Sequence, residues 1–149
     1  MKIDNRLQTA KLKIYYMLML GLIFSLSVYY RFERQAGYGY MIAVLIIALV
    51  YLFLLLRKSD YFFIEYTGNK AVVRYYTAHP FLRKYRAFEM PKAYFYDYEF
   101  KTILGGFRKT VQFTVKTPKG KFKYPPLSIS LFTKEQEVEL IKILEELKK

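Results

Sequence analysis

IYYMLMLGLIFSLSVYY (Ile14–Tyr30) contains no charged residue, and neither does QAGYGYMIAVLIIALVYLFLLL (Gln35–Leu56). A helix needs about 20 mostly apolar residues to cross a hydrocarbon core about 30 Å thick, and about 17 is the lower end. The second run meets that length and the first sits at its short end. Only Arg31, Phe32, Glu33 and Arg34 separate them. Two such runs in succession predict a transmembrane helical hairpin over residues 14–56, with spans at 14–30 and 37–56. A cleaved signal peptide is the competing reading of the first run. That run is longer than the usual apolar region of a signal peptide, no small-x-small site closes it, and a second span follows at once.

The flanks set an orientation. Residues 1–13 carry Lys2, Arg6, Lys11 and Lys13 against Asp4 alone, and the second span stops at Arg57-Lys58. Short basic flanks stay on the cytoplasmic side. The expectation is a two-span protein of the inner, cytoplasmic membrane, with the N-terminus (residues 1–13) and the region after the spans (residues 57–149) both cytoplasmic. Tyr15, Tyr16, Tyr29 and Tyr30 bracket the first span, and Tyr38 and Tyr40 open the second. Tyrosine at those depths keeps its ring in the apolar zone and its hydroxyl among headgroups. Gly21 with Ser25, and Gly39 with Ala43, are small-xxx-small pairs that let helix backbones approach closely in lipid. They serve either the packing of the two spans on each other or a partner helix. Neither span carries a charge, which argues against transport by this chain alone.

The chain has 149 residues, 54% of them hydrophobic, with 16 Tyr, 13 Phe, no Trp, no Cys and a formal net charge of +13. Absence of cysteine excludes disulfides and thiolate metal sites and fits a reducing compartment. Residues 57–149 suffice for one small domain. From Tyr61 onward the pattern breaks into short β-rich pieces: Tyr61–Tyr66, Ala71–Thr77, Leu82–Met90, Ala93–Ile103, Thr110–Thr117, Lys121–Tyr124 and Leu127–Leu131. Gly68-Asn69, His79-Pro80, Pro91, Gly105-Gly106, Pro118-Lys119-Gly120 and Pro125-Pro126 punctuate them. Turn signals at this spacing predict about seven antiparallel strands in a small barrel or sandwich. The chain then ends in a helix. Thr133 and Gln136 form a capping box. Glu135 and Glu137 in the first turn and Lys148-Lys149 at the end suit the helix dipole. Val138, Ile141 and Leu144, with Leu140 and Leu147 nearby, read as its apolar face. The fold class is therefore an α+β membrane protein, with the helix capping the β-domain.

FEMPKAYFYDYEF (Phe88–Phe100) joins two strands through a proline mid-domain, and PPLSISLFTKEQEVELIKILEEL (Pro125–Leu147) supplies last strand, capped turn and closing helix. In this order, behind a two-helix hairpin, the chain resembles small bacterial membrane proteins with a pleckstrin-homology-like (PH-like) domain. The resemblance implies a PH-like fold and a binding or scaffolding role. It carries over no catalytic residue.

Reactive chemistry is sparse. His79 is the lone histidine and stands beside Pro80, so it cannot assemble a metal site with other histidines or with cysteine. No phosphate-binding glycine motif and no recognisable nucleophile context is present. Asp97 and Glu99 share a strand face, an arrangement open to acid–base work but more often a solvated face opposite basic residues. No enzyme, cofactor or metal is expected. The basic residues are denser. Between Arg57 and Phe132 stand 15 Lys/Arg against 5 Asp/Glu. The candidates for binding anionic lipid headgroups are Arg83, Lys84 and Arg86, Arg108 and Lys109, and Lys119, Lys121 and Lys123. Near a bilayer each basic residue contributes on the order of 1 kcal/mol. The competing reading is that cytoplasmic segments beside spans are basic because topology requires it. No nucleic-acid motif accompanies the basic residues. Two functional readings remain: a membrane-anchored binding or scaffold module whose partners are anionic lipids or protein segments, and an accessory subunit whose spans pack on other membrane proteins.

Overall fold

The computed structural model describes residues 1–32, 38–79, 81, 84–103 and 105–149. Glu33 and Arg34 of the connector, Pro80, Leu82 and the candidate Arg83 lie outside the described residues. The order is β1 (Lys2–Asp4), α1 (Arg6–Phe32), α2 (Tyr38–Leu56), β2 (Asp60–Tyr66), β3 (Lys70–Thr77), β4 (Arg86–Pro91), β5 (Phe95–Ile103), β6 (Arg108–Thr117), β7 (Gly120–Lys123), β8 (Leu127–Ser128) and α3 (Lys134–Lys148). A single 3-10 turn, Lys92–Tyr94, leads into β5. The fold is thus α+β, with two helices long and apolar enough to cross a membrane.

The helical hairpin departs from the sequence expectation at its start. Helix α1 begins at Arg6, and its 27 residues span about 40 Å at 1.5 Å per residue. That exceeds the apolar run, and the first turns form a polar stem beside the β-domain. The stem is amphipathic: Thr9, Leu12 and Tyr16 are buried at the spacing that lines one helix face. Asn5, fully buried, splices strand to helix. Its carbonyl accepts the Thr9 N–H at 3.0 Å, its Oδ1 accepts the Phe62 N–H at 2.8 Å, and its Nδ2 donates to the Asp60 carbonyl at 3.1 Å. The N-terminal residues, read from sequence as a basic tail, therefore belong to the β-domain. At the other end of the hairpin Tyr30 and Tyr40 stack at 4.6 Å.

The β-domain is a sandwich of two antiparallel sheets rather than a closed barrel. One runs β1-β2-β3-β4; the other runs β5-β6-β7, with β8 also paired to β6. Among the described residues eight strands stand where about seven are expected, because Lys2–Asp4 pairs with Glu65–Phe63. The alternation is readable. Phe62 and Ile64, Ala71 and Val73, and Val111, Phe113 and Val115 point into one core with Ile3, Met90 and Leu127. Phe63 faces outward yet is buried, because Lys2 and Arg74 lie over its ring at 5.3 and 5.5 Å. Helix α3 closes the core. Thr133 and Gln136 form the expected capping box. The buried stripe is Leu140, Ile143, Leu144 and Leu147, an i, i+3, i+4, i+7 set. Val138 and Ile141, assigned to that face from sequence, are exposed because they lie off the stripe.

A second, smaller core fastens the helices to the sandwich. Leu12, Tyr16 and Ala78 are buried there, with Tyr51, Leu54, Leu55 and Leu131 packed against them. The Tyr16 hydroxyl donates to the Leu54 carbonyl at 3.0 Å. Arg57 Nη2 donates to the Ser130 carbonyl at 2.8 Å.

Candidate anion-binding pocket

Register places one end of every long strand at the foot of the hairpin. Asp60 opens β2 and pairs with Thr77, the last residue of β3. Tyr75 pairs with Arg86, the first of β4. Arg108 opens β6, and β8 pairs with Val111 and Thr110 just beyond. Between these strand ends and the base of the helices lies a cavity of about 700 Å³. Its wall contains Lys58, Lys84, Arg86 and Arg108, with Asp60 and Ser59 among them. Leu55, Phe81, Pro125 and Pro126 supply apolar surface, with the rings of Tyr75, Tyr76 and His79 beside them.

Four cations around one carboxylate make an anion-attracting concavity. Asp60 is the exception in charge. Burial pushes its carboxyl up to about 6, against the opposing pull of the Ser128 N–H, Thr77, Arg108 and Lys58. Its Oδ2 accepts from the Ser128 N–H at 3.4 Å. Two buried polar atoms of the wall, Ser59 Oγ and Arg108 Nε, have no hydrogen-bond partner among the described residues. Such atoms are costly and call for a reason. His79 accepts the Phe81 N–H at Nδ1, at 3.3 Å. In the neutral tautomer that leaves its Nε2–H to donate to the Tyr51 hydroxyl, 3.1 Å away.

The basic residues singled out in the sequence divide into three groups. Lys84, Arg86 and Arg108 come together in the pocket, joined by Lys58, which sequence reading used only for orientation. Lys109 is turned elsewhere: its Nζ lies 2.7 Å from Glu137 Oε1 on α3, and its N–H donates to Ser130 Oγ. Successive residues on a strand point to opposite faces, which separates Arg108 from Lys109. Lys119, Lys121 and Lys123 are exposed on the β6–β7 hairpin. Lys121 Nζ sits 4.0 Å from the centroid of Tyr96. Lys123 pairs with Thr114 and Lys121 with Lys116, six and eight residues along β6 from Arg108, so these lysines stand about 20 and 26 Å from it at 3.3 Å per residue, and Lys119 stands further. That is more than two Debye lengths at physiological salt, which screens one group from the other.

The carboxylates on β5 sit opposite cations. Asp97 Oδ1 is 2.9 Å from Lys148 and Glu99 is 3.4 Å from Lys101. The Lys148 ammonium holds the Asp97 carboxyl below its usual range. Of the small-residue pairs, Ser25 is exposed and Ala43 half-buried. A Cβ added at Gly21 or Gly39 would meet nothing within 4 Å among the described residues. The two helices therefore make no close approach at either glycine. Comparison with protein families, curated proteins and solved structures returns no match.

Proposed function

We propose that the chain is a non-enzymatic, membrane-anchored binding module, and that the pocket at the foot of its hairpin takes the phosphate-bearing headgroup of an anionic lipid. The convergence of Lys58, Lys84, Arg86 and Arg108 on one cavity carries the reading. Lys58 lies two residues past the end of α2, which holds the cavity at headgroup depth when α2 spans a bilayer. Basic flanks at residues 1–13 and 57–58 favour a cytoplasmic location for the β-domain and both termini. A PH-like domain is part of the same proposal. The order of strands, two sheets on one core and a closing helix supports it.

The test is native mass spectrometry of the detergent-solubilised chain, titrated with phosphatidylglycerol or phosphatidylcholine. Phosphatidylglycerol adducts are expected to survive at lower lipid concentration. Charge reversal at the exposed pair, Lys84→Glu with Arg86→Glu, is expected to abolish that preference. Reversal at Lys119, Lys121 and Lys123 is expected to leave it. A preference unchanged by the first pair overturns the reading.

A second reading, an accessory subunit of a larger membrane complex, is favoured by the uncovered faces at Gly21 and Gly39. Its mark is a membrane protein that co-purifies at fixed stoichiometry in mild detergent and is lost with Gly21→Leu.

A further inference from the structure

We propose that Phe107 and Phe81, carried on two loops that clasp nearly opposite faces of α2, form an aromatic collar inserted into the leaflet from which α2 emerges. The inference rests on the membrane reading above and adds a lipid contact made by the β-domain itself.

Phe107 follows Gly105 and Gly106, whose φ angles are 61° and 105°. That left-handed backbone favours glycine, and the side chain at the end of the turn is the Phe107 ring. The ring packs edge-on against Phe53 at 5.3 Å. Phe53 is three residues before Leu56, the end of α2, so the contact lies about 5 Å inside the helix end at 1.5 Å per residue. On the other side, the imidazole of His79 meets the Tyr51 hydroxyl at 3.1 Å. The Phe81 ring lies 5.8 Å from the imidazole. Tyr51 and Phe53 are two residues apart, hence about 200° around the helix.

Phe107 therefore touches the apolar surface of α2 directly, His79 brings the second loop to Tyr51 with Phe81 against its imidazole, and both loops expose their rings. Phe107 is 57% exposed and Phe81 70%. Leu52, Phe53 and Leu56 of α2 are also open, so the rings extend an apolar band that α2 begins. Cations follow each ring: Arg108 directly after Phe107, Lys84 three residues after Phe81. Rings in the acyl boundary with cations among headgroups is the pattern of interfacial membrane segments. An aqueous setting would leave both rings in water beside the apolar end of α2. A leaflet covers them and α2 together.

The chain contains no tryptophan, so one substitution creates a unique indole, excited at the red edge where tyrosine does not absorb. Three single-tryptophan proteins are reconstituted into phosphatidylcholine vesicles carrying bromine at chosen acyl depths: Phe107→Trp, Leu45→Trp in mid-α2, and Phe122→Trp on the exposed β7. Phe107→Trp is expected to show blue-shifted emission, quenched most by bromine near the headgroup end of the chains. Leu45→Trp is expected to be quenched most by deep bromine, and Phe122→Trp by neither. Emission from Phe107→Trp that matches Phe122→Trp, with Leu45→Trp quenched, overturns the collar and leaves the spans standing. Loss of quenching in Leu45→Trp as well overturns the membrane reading beneath it.

Discussion

Replacing Asp60 by Asn removes the one carboxylate from the pocket wall while keeping an oxygen for the Ser128 N–H. Burial raises the Asp60 carboxyl from 3.8 to about 6 in the folded chain. A raised carboxyl favours the folded state where it is protonated. Its contribution is present in full below the unfolded value of 3.8 and is lost as pH rises through about 6. Two pKa units correspond to about 3 kcal/mol at 1.36 kcal/mol per unit. Asp60→Asn is neutral at all pH values and escapes that loss. The variant is therefore expected to match the parent near pH 3 and to exceed it by about 3 kcal/mol above pH 7. Denaturant unfolding in detergent micelles, followed by tyrosine fluorescence in steps between those limits, measures the difference. Subtracting the two proteins at each pH cancels their common titrating groups. Parallel pH profiles would refute the assignment of a half-buried carboxylate raised by desolvation to this pocket. The same substitution is expected to tighten retention of phosphatidylglycerol at neutral pH, because it removes like charge from beside the phosphate.

Other perturbations probe the frame that holds the pocket. Asn5→Ala strips the partners from the Phe62 N–H and the Asp60 carbonyl. At about 1–3 kcal/mol for each of the two stranded groups, denaturant unfolding should show a loss of about 2–6 kcal/mol. Leu144→Ala empties a fully buried position in α3, with an expected cost of about 2–5 kcal/mol in the same assay. Thr133→Ala removes half of the capping box and should cost about 1 kcal/mol, enough to raise hydrogen exchange in the first turn of α3 while the sheets stay protected.

How much of this was legible in the chain follows from the range of the interactions. The apolar runs, the strands with two-residue periodicity and the capped helix are local patterns; α2, β2, β3 and α3 lie within a few residues of their expected bounds, whereas α1 begins eight residues before its apolar run. Strand β1 was not legible, since Lys2–Asp4 is too short for a pattern and its partner β2 lies beyond the whole hairpin. The polar stem of α1 is legible in principle: Thr9, Leu12 and Tyr16 have helical spacing, but the spacing straddles the start of the uncharged run. The pocket was half legible. Lys84, Arg86 and Arg108 stand out as basic, but only strand register brings them to one end of the sandwich beside Lys58. Alternation along β6 would have separated Lys109 from Arg108. The lysines of the β6–β7 hairpin are as dense in sequence as the basic residues of the pocket, and composition carries no distance.

The reading of the pocket is tested most directly by a phosphatidylglycerol analogue with a photoreactive headgroup, incorporated into membranes containing the intact chain and mapped by peptide mass spectrometry. The result expected is crosslinking concentrated on the pocket wall, around Lys58, Lys84 and Arg86, and competed by unlabelled phosphatidylglycerol. Crosslinks gathered on Lys116–Lys123, or spread evenly over the basic residues, would contradict it.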